Sequence, residues 1–116
     1  MLLPDFYEVI SRSDREDGSV LFEVRLNPNC RVYEGHFPGE PISPGVCNIE
    51  MIRECAELVA GRPLRIEEVS LCRFLKLVTP SAVPQAQISI RLSEVLEATM
   101  SSGGEDYVTL KAVVNG

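Results

Sequence analysis

The chain has 116 residues, 45% hydrophobic and 24% charged, a balance that excludes a largely disordered polymer and suits one globular domain over residues 1–116. With 11 Lys and Arg against 17 Asp and Glu, the formal charge is −6, which argues against a nucleic-acid binder, because displacing counterions from phosphates needs basic surface. The single histidine, His36, excludes a histidine-built zinc site and confines imidazole chemistry to that position or to a second chain.

Residues 3–9 (LPDFYEV) and 19–26 (SVLFEVRL) predict two strands, separated by the polar turn Asp14-Arg15-Glu16-Asp17-Gly18. In the second strand Val20, Phe22, Val24 and Leu26 alternate with Leu21, Glu23 and Arg25, the period of a strand with one buried face. Residues 27–45 then hold four of the eight prolines and three of the eight glycines, so this stretch is a rigid loop without regular structure. Ser43 suits an N-cap and Pro44 the first helical position, where no N–H is needed. A helix follows over Val46–Ala60 (VCNIEMIRECAELVA), stopped by Gly61 with Pro63 beyond. Apolar residues cover most of its circumference, so the helix is expected to be buried and wrapped by a sheet. Residues 66–78, 85–96 and 106–114 predict three longer strands, with Ser101-Ser102-Gly103-Gly104 as the last turn. Strands, one buried helix and then antiparallel strands make an α+β pattern.

The cysteines, Cys30, Cys47, Cys55 and Cys72, contain no CxxC pair, which argues against a metal site. Cys47 and Cys55 fall in the apolar helix, where a free thiol packs as a small hydrophobe. All four are read as reduced. With no secretory leader pattern and no apolar run near the roughly 20 residues of a membrane span, the expected location is cytoplasmic and off the membrane.

Residues 35–50, GHFPGEPISPGVCNIE, resemble the active-site segment of the β-hydroxyacyl-acyl-carrier-protein dehydratases. The family pattern G-H-F-x-G-x-P-x-x-P-G is met by Gly35, His36, Phe37, Gly39, Pro41, Pro44 and Gly45, and Glu50 falls on the acidic position that follows. The resemblance implies the hotdog fold, an antiparallel sheet wrapped around a long central helix. It also implies a homodimer in which His36 of one chain meets Glu50 of the other, a phosphopantetheine-linked substrate on acyl carrier protein, and no cofactor or metal.

The residue types suit that chemistry. Eliminating water from a β-hydroxyacyl thioester needs a base for the α-proton, an acid for the departing hydroxyl and donors for charge building on the thioester oxygen. Imidazole, with an unperturbed pKa near 6.5, offers a neutral base at physiological pH. Glu50 can supply the proton if it is held protonated, or act through a water. Gly45 opens the helix, where unpaired N–H groups and the positive dipole end favour an oxyanion. Phe37 and Val46 are expected to line the site. At 1.5 Å per residue Glu50 lies about 7.5 Å along the axis from Gly45. Helical spacing by itself would instead group Glu50 with Arg53, Glu54 and Glu57 on a solvated stripe.

Past Glu50 the chain departs from the family's E-A-M-A-Q, with Arg53 and Glu54 replacing a small residue and a glutamine. The family's F-x-x-P-V-x-P-G-D turn also survives only in part, with Pro80 kept and Ser81-Ala82 in place of glycine and aspartate. These changes open the choice between fatty-acid and specialised polyene-type substrates. Residues 61–77 carry Arg62, Arg65, Arg73 and Lys76 against Glu67 and Glu68, a basic segment expected to dock an acidic carrier protein. Acyl thioester hydrolysis and a non-catalytic acyl-binding partner subunit are the alternatives, since fold does not set reaction.

Overall fold

The alternation of Val20, Phe22, Val24 and Leu26 is the alternation of burial in the computed structural model, which describes residues 5–27, 45–76, 78–79 and 83–115. The elements run β1 (Tyr7–Asp14), β2 (Val20–Leu26), α1 (Gly45–Ala60), β3 (Arg65–Phe74), β4 (Gln85–Leu92), β5 (Val95–Ser102) and β6 (Glu105–Asn115). Among the described residues the strands form one six-stranded antiparallel sheet in the order β1-β2-β4-β5-β6-β3. Register brings the apolar positions into rows across it. Phe22 faces Ile88, which faces Met100, which faces Val108, and the next row runs Val20, Ile90, Ala98 and Leu110. All eight are buried, and Met51, Ile52, Cys55 and Ala56 of α1 lie buried in the same core.

Two strand expectations are corrected. Patterning predicts the first strand at 3–9, but β1 begins at Tyr7 and continues through the polar residues to Asp14. Pairing with β2 drives this, because Arg12, Ser13 and Asp14 sit opposite Phe22, Leu21 and Val20. The turn is thereby compressed onto 15–19, where Asp17 Oδ1 accepts the Ser19 N–H at 2.9 Å and the Ser19 hydroxyl at 2.6 Å. Patterning predicts one strand over 85–96, but β4 ends at Leu92 and β5 starts at Val95. The reversal at Ser93-Glu94 contains neither Gly nor Pro, and is held by Ser93 N–H and hydroxyl bonds to the Val95 carbonyl at 3.1 and 3.3 Å. Gly103 and Gly104, by contrast, both take positive φ in the β5–β6 turn, the conformation such hairpin turns demand.

The expectation of a long central helix is corrected as well. Helix α1 has 16 residues, about 24 Å at 1.5 Å per residue, an ordinary length. It packs chiefly on β4, with β3 and β5 beside it. One side stays open, with Leu58 exposed and Glu50, Arg53 and Glu57 only half-buried. The stop at Gly61 is as expected: its φ is +70° and its N–H donates to the Glu57 carbonyl at 2.8 Å. Among the described residues no helix is long and apolar enough to cross a membrane.

Strand β3 lies at the outer edge of the sheet over ten residues, and its neighbourhood exposes Val69, Leu71, Phe74 and Leu75, each 40% accessible or more. Bulges interrupt its pairing with β6 between Ile66 and Glu68 and between Val69 and Leu71. A long apolar edge is a surface that proteins ordinarily cover.

Candidate active site

Helix α1 carries the described part of the candidate site. Gly45 is its first residue, and Glu50, Arg53 and Glu57 follow at spacings of three and four, so they share one face. Gly45 lies under the ring of Phe74 at the end of β3. A Cβ at position 45 would stand 3.0 Å from Phe74 Cζ and 3.2 Å from Cε1, closer than a side chain sits without displacing the ring.

Glu50 is engaged by Arg53. The guanidinium donates from Nε to Glu50 Oε1 at 2.8 Å, and Nη2 donates to the same oxygen. Its other end is fixed, with Nη1 donating to Glu57 Oε2 at 2.7 Å and to the Leu64 carbonyl at 2.9 Å. Glu57 Oε2 also accepts the Leu64 N–H at 2.8 Å, so the cluster ties the helix to the chain entering β3. Hydrogen bonding to Glu50, reinforced by both carboxylates' charge, holds the Arg53 guanidinium still more firmly protonated than usual.

Glu54 is not on the solvated stripe where helical spacing would group it. It is 1% exposed, and the Tyr7 hydroxyl donates to its Oε1 at 3.0 Å. Burial, with Cys55 and Glu54 close by, pushes the Tyr7 hydroxyl far above its ordinary value, and burial pushes the Cys55 thiol up to about 12. Sequence reasoning missed this group. Its one signal was Glu54 set between the apolar pairs Met51-Ile52 and Cys55-Ala56, where a face at 100° steps turns inward.

His36 and Phe37 lie outside the described residues, as do Ser43, Pro44 and Cys30, and so does the side chain of Val46. Cys47, Cys55 and Cys72 form no disulfide among the described residues. Of the four basic positions, Arg65 pairs with Glu67 at 3.4 Å, and Lys76 pairs with Glu105 with its ammonium 5.9 Å from the Tyr107 ring centre. Arg62 and Arg73 have no ion pair among the described residues. Strand β3 also separates them: Arg65 opens it and Arg73 is eight residues on, about 26 Å at 3.3 Å per residue. The structure therefore makes two basic groups, of which Arg73 and Lys76 flank Phe74 and so stand near Gly45. A concavity of about 310 Å³ lies on the sheet face away from α1, lined by Ser89, Arg91, Glu97, Thr99, Thr109 and Lys111, and includes neither Gly45 nor Glu50.

A glycine-opened helix carrying an acidic residue five positions on, against an antiparallel sheet, is the frame into which the comparisons fall. The family model of the ApeI-like proteins, described as ApeI dehydratase, matches residues 12–109. The chain belongs to the ApeI-like dehydratase family. It is thus a hydro-lyase of the 3-hydroxyacyl-acyl-carrier-protein dehydratase type. Among curated relatives, the 3-hydroxyacyl-acyl-carrier-protein dehydratase FabZ of Lactiplantibacillus plantarum is 27% identical over 101 residues, covering 77% of this chain and 68% of that one. FabZ of Syntrophobacter fumaroxidans is 38% identical over 84 residues, covering 66% of this chain and 56% of the relative. Among solved structures, the dehydratase heterocomplex ApeI:P from Xenorhabdus doucetiae superimposes with a TM-score of 0.79 at 17% identity, covering 94% and 97% of the two chains. An uncharacterized protein from Erwinia carotovora subsp. atroseptica gives 0.66 at 16% identity, covering 94% and 95%. The sheet and helix share the fold of these chains, the hotdog arrangement.

Proposed function

We propose that the chain dehydrates (3R)-hydroxyacyl thioesters carried on acyl carrier protein to trans-2-enoyl thioesters, without a cofactor, in synthesis of fatty or specialised polyene-type acyl chains. The observation that carries this reading is Glu50, placed five residues past the helix-opening Gly45 and in register with the His36 motif, in a chain matched over 12–109 by the ApeI dehydratase family. His36 is the base that takes the α-proton, and Glu50 is the acid or the group that orients water at the departing hydroxyl. N–H groups at Gly45 receive the charge on the thioester oxygen, an interaction whose loss typically costs about a hundred- to a thousand-fold in rate. Phe37 and Val46 line the acyl group.

The working unit in this reading is a homodimer whose composite sites join His36 of one chain to Glu50 of the other. The apolar edge of β3, with Val69, Leu71, Phe74 and Leu75 exposed, supports assembly through that strand. The acidic carrier docks at the Arg73 and Lys76 end, beside the helix opening, with Arg62 and Arg65 at the far end of β3. The ApeI:P heterocomplex favours a second reading of the assembly, in which a different chain takes the place of the second copy.

The test is to incubate the protein with carrier-linked hydroxyacyl and enoyl thioesters. Interconversion of the two supports dehydration, and release of free carrier thiol would indicate a thioesterase instead. His36→Ala and Glu50→Gln should each abolish interconversion; turnover at the wild-type rate in both variants would remove the catalytic assignment of these residues, and no interconversion by the wild type itself would point to an acyl-binding subunit.

A further inference from the structure

Strand β3 is an outer edge of the sheet, and its pairing with β6 fixes which way its side chains point. Ile66, Val69, Cys72 and Phe74 sit opposite Val114, Ala112, Leu110 and Val108, whose side chains lie in or against the core, so these four belong to the helix-side face. Arg65, Glu68, Leu71 and Arg73 sit opposite Asn115, Val113, Lys111 and Thr109, on the outer face. Glu67 and Ser70 fall in the two bulges, so each face of β3 stays in step with the rungs of β6. Counted on those rungs, Leu71 has Arg73 two places to one side and Glu68 two places to the other.

The charges along this edge divide into the paired and the unpaired. Glu67 takes Arg65 at 3.4 Å and the Asn115 amide at 3.1 Å, and Lys76 takes Glu105. Glu68 and Arg73 make no ion pair among the described residues. On their own strand they are four rungs apart, about 13 Å at 3.3 Å per residue, too far to meet.

A second β3 laid antiparallel along this edge, with a two-fold axis at Leu71, brings such residues together. It sets Leu71 beside Leu71 of the second copy and Arg73 opposite Glu68 of the second copy, the latter twice by symmetry. On the helix-side face it sets Cys72 opposite Val69 and Phe74 opposite Ile66, again twice. Axes one or two rungs away fail. At Val69 the axis opposes Arg73 with Arg65, at Cys72 it opposes Arg73 with Leu71, and at Glu68 or Arg73 a charge meets itself. Like charges directly opposite each other are destabilising, whereas opposite charges and apolar pairs stabilise.

We infer that β3 recognises a second copy of this chain, paired antiparallel about a two-fold axis at Leu71, and that Glu68 and Arg73 select that copy over a different chain. This rests on the homodimer reading above and adds to it the register and the residues that choose the partner. The two six-stranded sheets become one, and both copies lose an exposed edge. Arg73 then serves the interface, leaving Lys76 as the carrier-facing cation at that end. A different chain would have to offer an acidic and a basic side chain at the same spacing about the same apolar centre.

The experiment is analytical ultracentrifugation of the full chain over a dilution series, at low and high salt, with circular dichroism to confirm folding. The proteins are the wild type, Glu68→Lys, Arg73→Glu and the double variant Glu68→Lys/Arg73→Glu. Each single variant opposes like charges on both symmetric rungs and should weaken the dimer by about ten- to a hundred-fold at low salt, less at high salt. Mixed in equal amounts, the two single variants should recover the wild-type dimer, since every opposed pair is again unlike. The double variant should dimerise with itself and fail to exchange with labelled wild type. Single variants that dimerise as tightly as wild type, a mixture that does not recover, or a double variant that exchanges freely with wild type would each overturn the inference. A wild type that stays monomeric at every concentration would overturn it too and give the edge to a different chain. Should a single variant not fold, the double variant and wild type decide the matter by self-association and exchange. None of these readings uses substrate, so a chain that dimerises in this way yet fails to interconvert acyl thioesters loses the dehydratase reading and keeps this one.

Discussion

Removing the Tyr7 hydroxyl tests whether the buried Glu54 is held by the contact seen in the core. The perturbation is Tyr7→Phe, which keeps the ring in its fully buried place and deletes only the donor 3.0 Å from Glu54 Oε1. Deleting one hydrogen-bond donor to a buried carboxyl costs about 1–3 kcal/mol. At about 4 °C per kcal/mol for a domain of this size, the midpoint should fall by about 4–12 °C. Glu54→Leu removes the acceptor of the Tyr7 hydroxyl in turn, so the double variant Tyr7→Phe/Glu54→Leu should lose less than the two singles together, by about 1–3 kcal/mol. The assay is thermal denaturation for the midpoint and urea denaturation for the coupling energy, on all four proteins at one fixed concentration, which keeps any assembly term constant. A coupling indistinguishable from zero, or a Tyr7→Phe midpoint equal to wild type, would refute the claim that this pair is a satisfied buried unit.

Three further outcomes follow from the same coordinates. Because burial holds the Cys55 thiol up to about 12 from an unfolded value of 9.0, its contribution is complete below about pH 9 and is lost as pH rises toward 12, by at most about 4 kcal/mol. Denaturation midpoints measured across that window should therefore decline less steeply in Cys55→Ala, and an identical decline would contradict the assignment. Gly45→Ala should fold with a midpoint within a few degrees of wild type, since the half-exposed Phe74 ring can swing from its 3.0 Å contact, yet should lower kcat/KM even in a Phe74→Ala background. Recovery of full rate in that double variant would show that Gly45 serves only to seat Phe74. If the chain works as the proposed homodimer, a charge placed on the β3 edge, Val69→Lys or Leu71→Lys, should yield monomer in sedimentation and abolish turnover; a dimer that persists in these variants would place the interface elsewhere.

What could be read before the structure followed the strength of local patterning. Strand β2 was legible because its alternation is strict, and the end of α1 because Gly61 and Pro63 both signal it. Strand β5 was merged with its neighbour because its turn depends on Ser93 bonding to backbone, a chemistry that composition does not advertise. Strand β1 was displaced because Arg12, Ser13 and Asp14 belong to the sheet only through pairing with β2, a long-range fact. At the candidate site, the place of Glu50 on α1, five residues past the helix-opening Gly45, was legible in the sequence. The Arg53 bracket was not, because its partner Leu64 contributes backbone atoms beyond the helix. Nor was the burial of Glu54, since a wheel that averages polarity assigns every charge on one side to solvent.

The account's central claim is that the chain adds or removes water at the β-carbon of a carrier-linked acyl group. Its most direct test is to incubate the protein with an enoyl-loaded acyl carrier protein in heavy-oxygen water and locate the label by mass spectrometry. The account predicts label on the β-hydroxyl of an acyl group still attached to the carrier, abolished in His36→Ala. Label found only in the carboxylate of a released acid, or no label at all, would contradict it.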